Sequence, residues 1–88
     1  MSYDLQWTVR AVKQARKIPQ PERKRIVAAV GGLADWPTCK DRQDIRRLKN
    51  HARQYRLRVG RYRVLFDVET VVCVVLVEEV RKRDERTY

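Results

Sequence analysis

The sequence predicts a small α+β domain in which a strand and a helical hairpin precede an antiparallel sheet. Two observations support this fold class. Apolar residues recur at helical spacing in the first half of the chain, and they alternate with charged residues in the second half. With 88 residues, the chain has room for one domain, spanning residues 1–88, around a single modest core.

The N-terminal half predicts a short strand followed by two antiparallel helices. Apolar and polar residues alternate over 5–9, which is typical of a strand. Ala11, Ala15 and Ile18 then share one face of a helix, and the prolines that follow Ile18 separate it from a second helix. The buried stripe of the second helix is expected to consist of Ile26, Val27, Val30, Leu33 and Ala34.

The C-terminal half predicts a three-stranded antiparallel meander. Two alternating segments, 55–59 and 62–68, flank Gly60-Arg61, and glycine at the first position of a two-residue loop suits a type II′ hairpin. The continuous apolar run 71–77 is typical of a strand covered on both faces. Residues 81–88 are polar, and we expect them to form a short basic tail without a role in the core.

The predicted hairpin brings arginines together on one face of the sheet. With Gly60-Arg61 as the loop, Arg58 lies opposite Arg63, and Arg56 shares their face. Directly opposed like charges destabilise a sheet by up to about 1 kcal/mol, whereas an anion between them gains charge-assisted hydrogen bonds. Residues 45–66 contain no acidic side chain that could neutralise them. We interpret this face as a site for a polyanion, above all RNA; the alternative is an ordinary solvated face.

Composition narrows the classes of function. A formal net charge of +10, from 21 Lys+Arg against 11 Asp+Glu, favours an anionic partner. Cys39 and Cys73 form no metal-binding motif and His51 is the single histidine, so we expect no metal, no cofactor and free thiols. We expect His51 to be a surface residue and not a base. The apolar runs are too short to cross a bilayer, and the N-terminus lacks a signal-peptide core, which predicts a cytoplasmic protein.

Three segments of the chain resemble the RelE toxins of bacterial toxin–antitoxin pairs. They are Leu48 with Lys49, residues 55–66 (YRLRVGRYRVLF) and residues 82–88 (KRDERTY). The resemblance extends over nearly the whole chain. Its pattern, a Y-x-L-R-x-G-x-Y-R segment followed by a basic segment ending in tyrosine, is typical of the wider RelE/ParE superfamily and less decisive between its members.

The resemblance implies a β-α-α-β-β-β fold and the activity of a type II toxin. RelE toxins cut mRNA in the ribosomal A site, where the ribose 2′-OH attacks the adjacent phosphate without a metal. Arg56 and Arg58 match the family's pair of basic residues on the second strand, and Arg63 matches its arginine on the third. The residues expected to be catalytic are Arg58, Arg63, Arg83 and Tyr88. Residues expected to bind RNA are Arg56, Lys49, Lys82, Arg61 and Arg47.

One departure from the family pattern concerns the mechanism, because the best-known member carries lysines at the two second-strand positions. Arginine stays protonated and cannot act as an ordinary base. We therefore expect Arg58 and Arg63 to hold the scissile phosphate electrostatically. Arg83, or Lys82 in its place, would assist at the leaving 5′ oxygen. Tyr88 would stack on the nucleotide or take the 2′-OH proton.

The resemblance also implies partners. These are mRNA and ribosomal RNA in the A site, together with a cognate antitoxin that holds the toxin inactive. Because this chain is so basic, we expect the toxin-binding segment of the antitoxin to be acidic. Apolar grooves around the helical hairpin are the expected docking place for an amphipathic helix.

Three alternatives to RelE activity remain open at this point. The first is a ParE-type inhibitor of DNA gyrase, which shares the fold but acts by binding. The second is a nucleic-acid-binding module without catalysis, and the third is an inactive relative of RelE. Retention of the basic residues together with Tyr88 favours RelE over ParE.

Overall fold

The computed structural model of the protein describes residues 2–82. In chain order, these residues form strand β1 (Asp4–Trp7), helices α1 (Val9–Arg16) and α2 (Gln20–Gly31), two short 3₁₀ helices (Gly32–Asp35 and Thr38–Asp41), and strands β2 (Ile45–Arg47), β3 (Tyr55–Val59), β4 (Tyr62–Glu69) and β5 (Val74–Lys82). This order confirms the predicted α+β class, with its N-terminal strand, helical hairpin and later meander.

The strands form one sheet in the order β1-β5-β4-β3-β2. The meander β3-β4-β5 is antiparallel, as predicted, and β1 adds to β5 in parallel. Strand β2 was not predicted, because three residues are too few for alternation to show. It extends the sheet by pairing antiparallel with β3.

The register of the β3–β4 hairpin is confirmed in full. Val59 pairs with Tyr62, and Arg58 pairs with Arg63. Gly60 has a φ of 58°, while Arg61 is not among the residues with positive φ. A positive φ at the first loop position alone is typical of the predicted type II′ turn.

The core lies between the helices and one face of the sheet, which we call the inner face. From the helical side it receives Ala11, Ile18, Ile26, Val30 and Leu33, and from the sheet Leu57, Val64, Phe66, Val75 and Val77. Trp36 closes it with edge-on ring contacts, 4.7 Å from the ring centre of Tyr55 and 5.8 Å from that of Phe66. Aromatic pairs in this arrangement add to the stability gained from buried area.

Two details of the helical prediction were wrong. Val27 was expected in the buried stripe of α2 but is 51% exposed, because α2 turns only the narrow stripe of Ile26 and Val30 fully into the core. The second helix also ends earlier than its sequence pattern suggests. It stops at Gly31, and a 3₁₀ helix carries the chain on towards Trp36.

The last strand begins and ends later than predicted. Val71 and Val72 are 95% and 64% exposed and lie in the turn between β4 and β5, where Cys73 has a φ of 54°. Because Val71 and Val72 belong to the turn that reverses the chain, β5 starts at Val74. The strand then runs on to Lys82, which means that two residues expected in the tail belong to the sheet.

We predict that Gly60→Ala destabilises the protein, because an L side chain at this positive φ is strained by about 1–2 kcal/mol. The measurement is the free energy of unfolding from urea titration followed by circular dichroism. Gly31→Ala is the matched control. A Cβ at Gly31 meets no atom within 4 Å, so this change should be neutral or stabilising. Equal stability of the two variants would contradict the turn assignment.

Candidate functional site

Three arginines lie side by side on the outer face of the sheet, opposite the core. Arg58 of β3 pairs with Arg63 of β4, and Arg63 pairs in turn with Arg81 of β5. We call these residues the arginine row. Because neighbouring strands lie about 5 Å apart, the backbone positions of these three arginines span about 10 Å across the sheet.

Asp44 lies at the β2 end of the arginine row. The backbone N–H of Arg58 donates to its carbonyl oxygen at 3.0 Å, and its carboxylate lies 3.7 Å from Arg58 Nε and 3.6 Å from Arg56 Nη2. The expectation that nothing internal neutralises this face was therefore wrong in part. The acid-free stretch begins immediately after Asp44, and β2 pairing brings that carboxylate back. One half-exposed carboxylate still faces two guanidinium groups, at distances typical of weak ion pairs.

Arg56 lies one row further along the outer face and is buried, with 6% of its surface exposed. Burial is the main cause that lowers the pKa of its guanidinium, and Asp44 opposes this shift. Within residues 2–82, its Nη1 has no hydrogen-bond partner. This placement differs from the expectation that Arg56 grips RNA, because the residues around it shield its guanidinium from solvent.

An open cavity of about 480 Å³ lies over this face, under the loop that joins β2 to β3. It is lined by Arg46, Leu48, Lys49, Asn50, His51, Arg56, Arg58, Arg63 and Leu65. The structure thus brings Lys49 to the same cavity as the arginines of the hairpin. His51 Nδ1 accepts a hydrogen bond from Arg53 N at 3.0 Å, which holds the ring within the loop.

A buried carboxylate connects this loop to the last strand. Glu79 is 7% exposed, and its Oε1 accepts a hydrogen bond from Arg81 Nε at 2.9 Å. Its Oε2 accepts from Arg53 Nε at 3.3 Å. Arg53 also lies 3.9 Å from Glu78, whose pKa is raised chiefly by burial and further by a hydrogen bond with Asp67.

Other predicted RNA-binding residues lie away from the arginine row. Arg47 lies on the inner face, where it pairs with Tyr55, donates to the Tyr55 hydroxyl at 3.4 Å and covers its ring. Arg61 and Lys82 line a separate cavity of about 630 Å³ beside the α1–α2 turn, which Arg81 also borders. Arg83 and Tyr88 lie outside the described residues.

Sequence reasoning missed three residues of this site. Arg81 was assigned to the tail, although it continues the strand alternation of Glu79 and Val80. Glu79 carried a signal of its own, since an acidic residue within an apolar strand needs a buried partner. Asp44 carried no such signal, because only the pairing of β2 with β3 brings it to the arginines.

This arrangement can bind and stabilise negative charge. Guanidinium groups donate several hydrogen bonds in a plane and suit phosphate oxygens, but they cannot accept a proton. Within residues 2–82, no group of His, Cys, Asp and Glu side chains is arranged to hold a metal ion. None of the helices in that part of the chain has the length and apolar character needed to span a bilayer.

Known proteins share both the sequence pattern and the fold. A family model described as ParE toxin of type II toxin–antitoxin system, parDE, matches residues 5–85. The putative toxin RelE1 of Methanocaldococcus jannaschii is 25% identical over 84 residues, which cover 96% of this chain and 93% of that protein.

Solved structures of RelE proteins have the same architecture. The RelE–RelB complex of Pyrococcus horikoshii matches with a TM-score of 0.80 and 23% identity, over 97% of this chain and 99% of that one. A mutant E. coli RelE in the free state matches with a TM-score of 0.74 and 26% identity, over 96% and 86%. The RelE-like fold and the family match agree: this chain belongs to the ParE toxin family and is a type II toxin of the RelE/ParE superfamily.

Proposed function

We propose that the protein is a ribosome-dependent mRNA endonuclease that inhibits translation by cutting mRNA in the A site. The observation that carries this proposal is the pairing of Arg58 with Arg63 beneath a cavity that Lys49 also lines. Such a surface suits a ribose–phosphate chain, and Lys49 supplies a further cation for a neighbouring phosphate. A ribosomal substrate, made of mRNA and ribosomal RNA, places this activity in the cytoplasm.

The proposed reaction needs no metal. The 2′-oxygen attacks the adjacent phosphorus, the bond to the 5′ oxygen breaks, and the products are a 2′,3′-cyclic phosphate and a 5′-hydroxyl end. Arg58 and Arg63 stabilise the charge that builds on the non-bridging oxygens. The 2′-OH proton goes to the ionised Tyr88 oxygen, which is favoured by the basic residues next to Tyr88 in the sequence. Arg83, or Lys82 in its place, stabilises the leaving 5′ oxygen by a hydrogen bond, and that oxygen takes its proton from water. Arg61 lies at the hairpin turn beside α2, away from the arginine row, and would contact only RNA that extends beyond the outer face.

We predict that Arg63→Ala lowers the rate of codon-positioned cleavage by about 10²–10³-fold, the usual loss when a donor to developing charge is removed. The measurement is primer extension on a translated mRNA with purified protein and ribosomes. Arg42→Ala is the matched control. It removes the same charge from an exposed arginine that pairs with exposed Asp35, away from the row. If both variants lost cleavage activity to a similar extent, Arg63 would contribute only through the net positive charge of the protein.

We predict that Tyr88→Phe lowers cleavage at least tenfold, because the ring remains for stacking while the proton-accepting hydroxyl is lost. Tyr88→Ala should lower it further by removing the stacking surface as well. Both variants are measured in the same ribosome assay. Undiminished cleavage by Tyr88→Phe would exclude the hydroxyl from the reaction and leave stacking as its only role.

Inhibition of DNA gyrase is the second candidate function, because the family model that matches residues 5–85 is described as a ParE toxin. Purified protein would then block supercoiling of relaxed plasmid by gyrase and leave translated mRNA intact. Induced expression separates the candidates in cells as well. Growth arrest with loss of translation supports mRNA cleavage, whereas filamentation with DNA damage supports gyrase inhibition.

The proposed protein partner is a cognate antitoxin with an acidic toxin-binding segment. Related RelE proteins have been solved as complexes with RelB. On this chain, an apolar groove of about 260 Å³ along the helical hairpin offers a docking place with a basic rim. It is lined by Trp7, Val12, Ala15, Arg16, Arg23 and Val27. An amphipathic acidic helix matches both the apolar floor and the rim.

We predict that Val27→Asp weakens binding of the cognate antitoxin at least tenfold, while mRNA cleavage stays unchanged. Val27 is half exposed, so the protein tolerates the change, but a carboxylate in the groove is desolvated and repels an acidic helix. Isothermal titration calorimetry measures the affinity. Val71→Asp, at a fully exposed turn, is the control and should bind like the unaltered protein. Unchanged affinity of Val27→Asp would place the antitoxin elsewhere.

A further inference from the structure

Glu79 is an acidic residue buried in the charged face of a basic toxin. It lies on β5 opposite Leu65 and exposes only 7% of its surface. A carboxylate is costly to bury unless cations or donors compensate it. Arginines compensate both of its oxygens. Arg10 Nη1 lies 4.0 Å from Oε2, and two shorter contacts are hydrogen bonds, donated by Arg81 Nε at 2.9 Å and by Arg53 Nε at 3.3 Å.

Each of these hydrogen bonds uses the Nε–H of an arginine. The terminal nitrogens of Arg81 are therefore not consumed by Glu79, and the Arg81 side chain remains 37% exposed. Arg81 also pairs with Arg63, so repulsion between like charges acts to push its guanidinium away from the row. The bond to Glu79 opposes that repulsion and fixes where Arg81 stands.

Arg53 connects Glu79 to the loop between β2 and β3. Arg53 belongs to the loop that also carries Lys49 and His51, and its contact with Glu79 joins this loop to β5. Arg53 also forms an ion pair with Glu78, and this one is longer, at 3.9 Å between Arg53 Nη1 and Glu78 Oε2. Glu79 therefore links the wall of the cavity to the arginine row.

We propose that Glu79 is a positioning residue that holds Arg81 in the arginine row and fastens the Lys49-bearing loop over the outer face, which makes Arg81 a third phosphate-binding arginine. This inference rests on the proposed RNA-cleaving function and deepens it. Glu79 contacts no RNA in this scheme and acts through the hydrogen bonds that it accepts from Arg81 and Arg53.

The test asks whether loss of the Glu79 carboxylate strengthens or weakens RNA binding. Removing an acidic side chain from a basic surface strengthens polyanion binding if charge alone matters. If Glu79 positions Arg81, then Glu79→Ala weakens binding at least threefold and reduces the salt slope of log K by about 0.7, the value for one lost phosphate contact on single-stranded RNA. The probe is a short single-stranded RNA with methylated 2′-hydroxyls, followed by fluorescence anisotropy across a salt series.

Two further variants complete the measurement. Arg81→Ala should weaken RNA binding similarly. Because Glu79 acts through Arg81, adding Glu79→Ala to Arg81→Ala should weaken binding further only by the effect of losing the contact between Arg53 and Glu79. Glu69→Ala is the matched control: it removes an exposed carboxylate at the end of β4 and should bind as tightly as the unaltered protein, or more tightly. Additive losses, or tighter binding by Glu79→Ala, would overturn the inference.

Folding is controlled with Glu79→Gln, which keeps an acceptor oxygen and the side-chain shape. If Glu79→Ala fails to fold, Glu79→Gln decides, since weaker binding than the unaltered protein supports positioning and equal or tighter binding overturns it. The unaltered protein is tested first in the ribosome assay and with the RNA probe. Absence of both activities there would reject the proposed function, whereas normal activity with no weakening in the Glu79 variants rejects only this inference.

Discussion

The alternation of side chains along the β3–β4 hairpin is the constraint on which the rest of the structure depends. Leu57 and Val64 enter the core, while Arg58 and Arg63, one residue away on the same strands, lie on the outer face. Gly60 sets the register through its positive φ, and a shift by one residue would exchange the two faces. The pairing that buries the core therefore also builds the charged site.

Two carboxylates, Asp44 and Glu79, lie at the sides of this face and contact its arginines. Asp44 is shared by two arginines of β3, and Glu79 is shared by Arg53 and Arg81, with Arg10 at 4.0 Å. One carboxylate between two guanidinium groups leaves a net positive charge and also restrains where those groups stand. Donors fixed in this way need little reorganisation when an anion binds, which is the condition for electrostatic stabilisation of a transition state.

The family match places the protein among type II toxins, and the fold by itself does not choose between the possible targets. One architecture can carry different activities, so RNA cleavage and gyrase inhibition must be argued from side chains. The permanently charged arginines of the described site can bind and stabilise negative charge but cannot accept a proton. Proton transfer then falls to other groups, which is why Tyr88 holds a central place in the proposed reaction.

The sequence alone was enough to predict the helical hairpin, the meander, the hairpin register and the shared face of Arg58 and Arg63. These features follow from local periodicity and one turn, which a short segment specifies by itself. Only the tertiary structure decided that β2 exists, that Asp44 returns to the arginines, that Arg81 extends the row and that Val27 stays exposed. Each of these outcomes depends on which distant segment packs alongside, and local alternation carries no information about that choice.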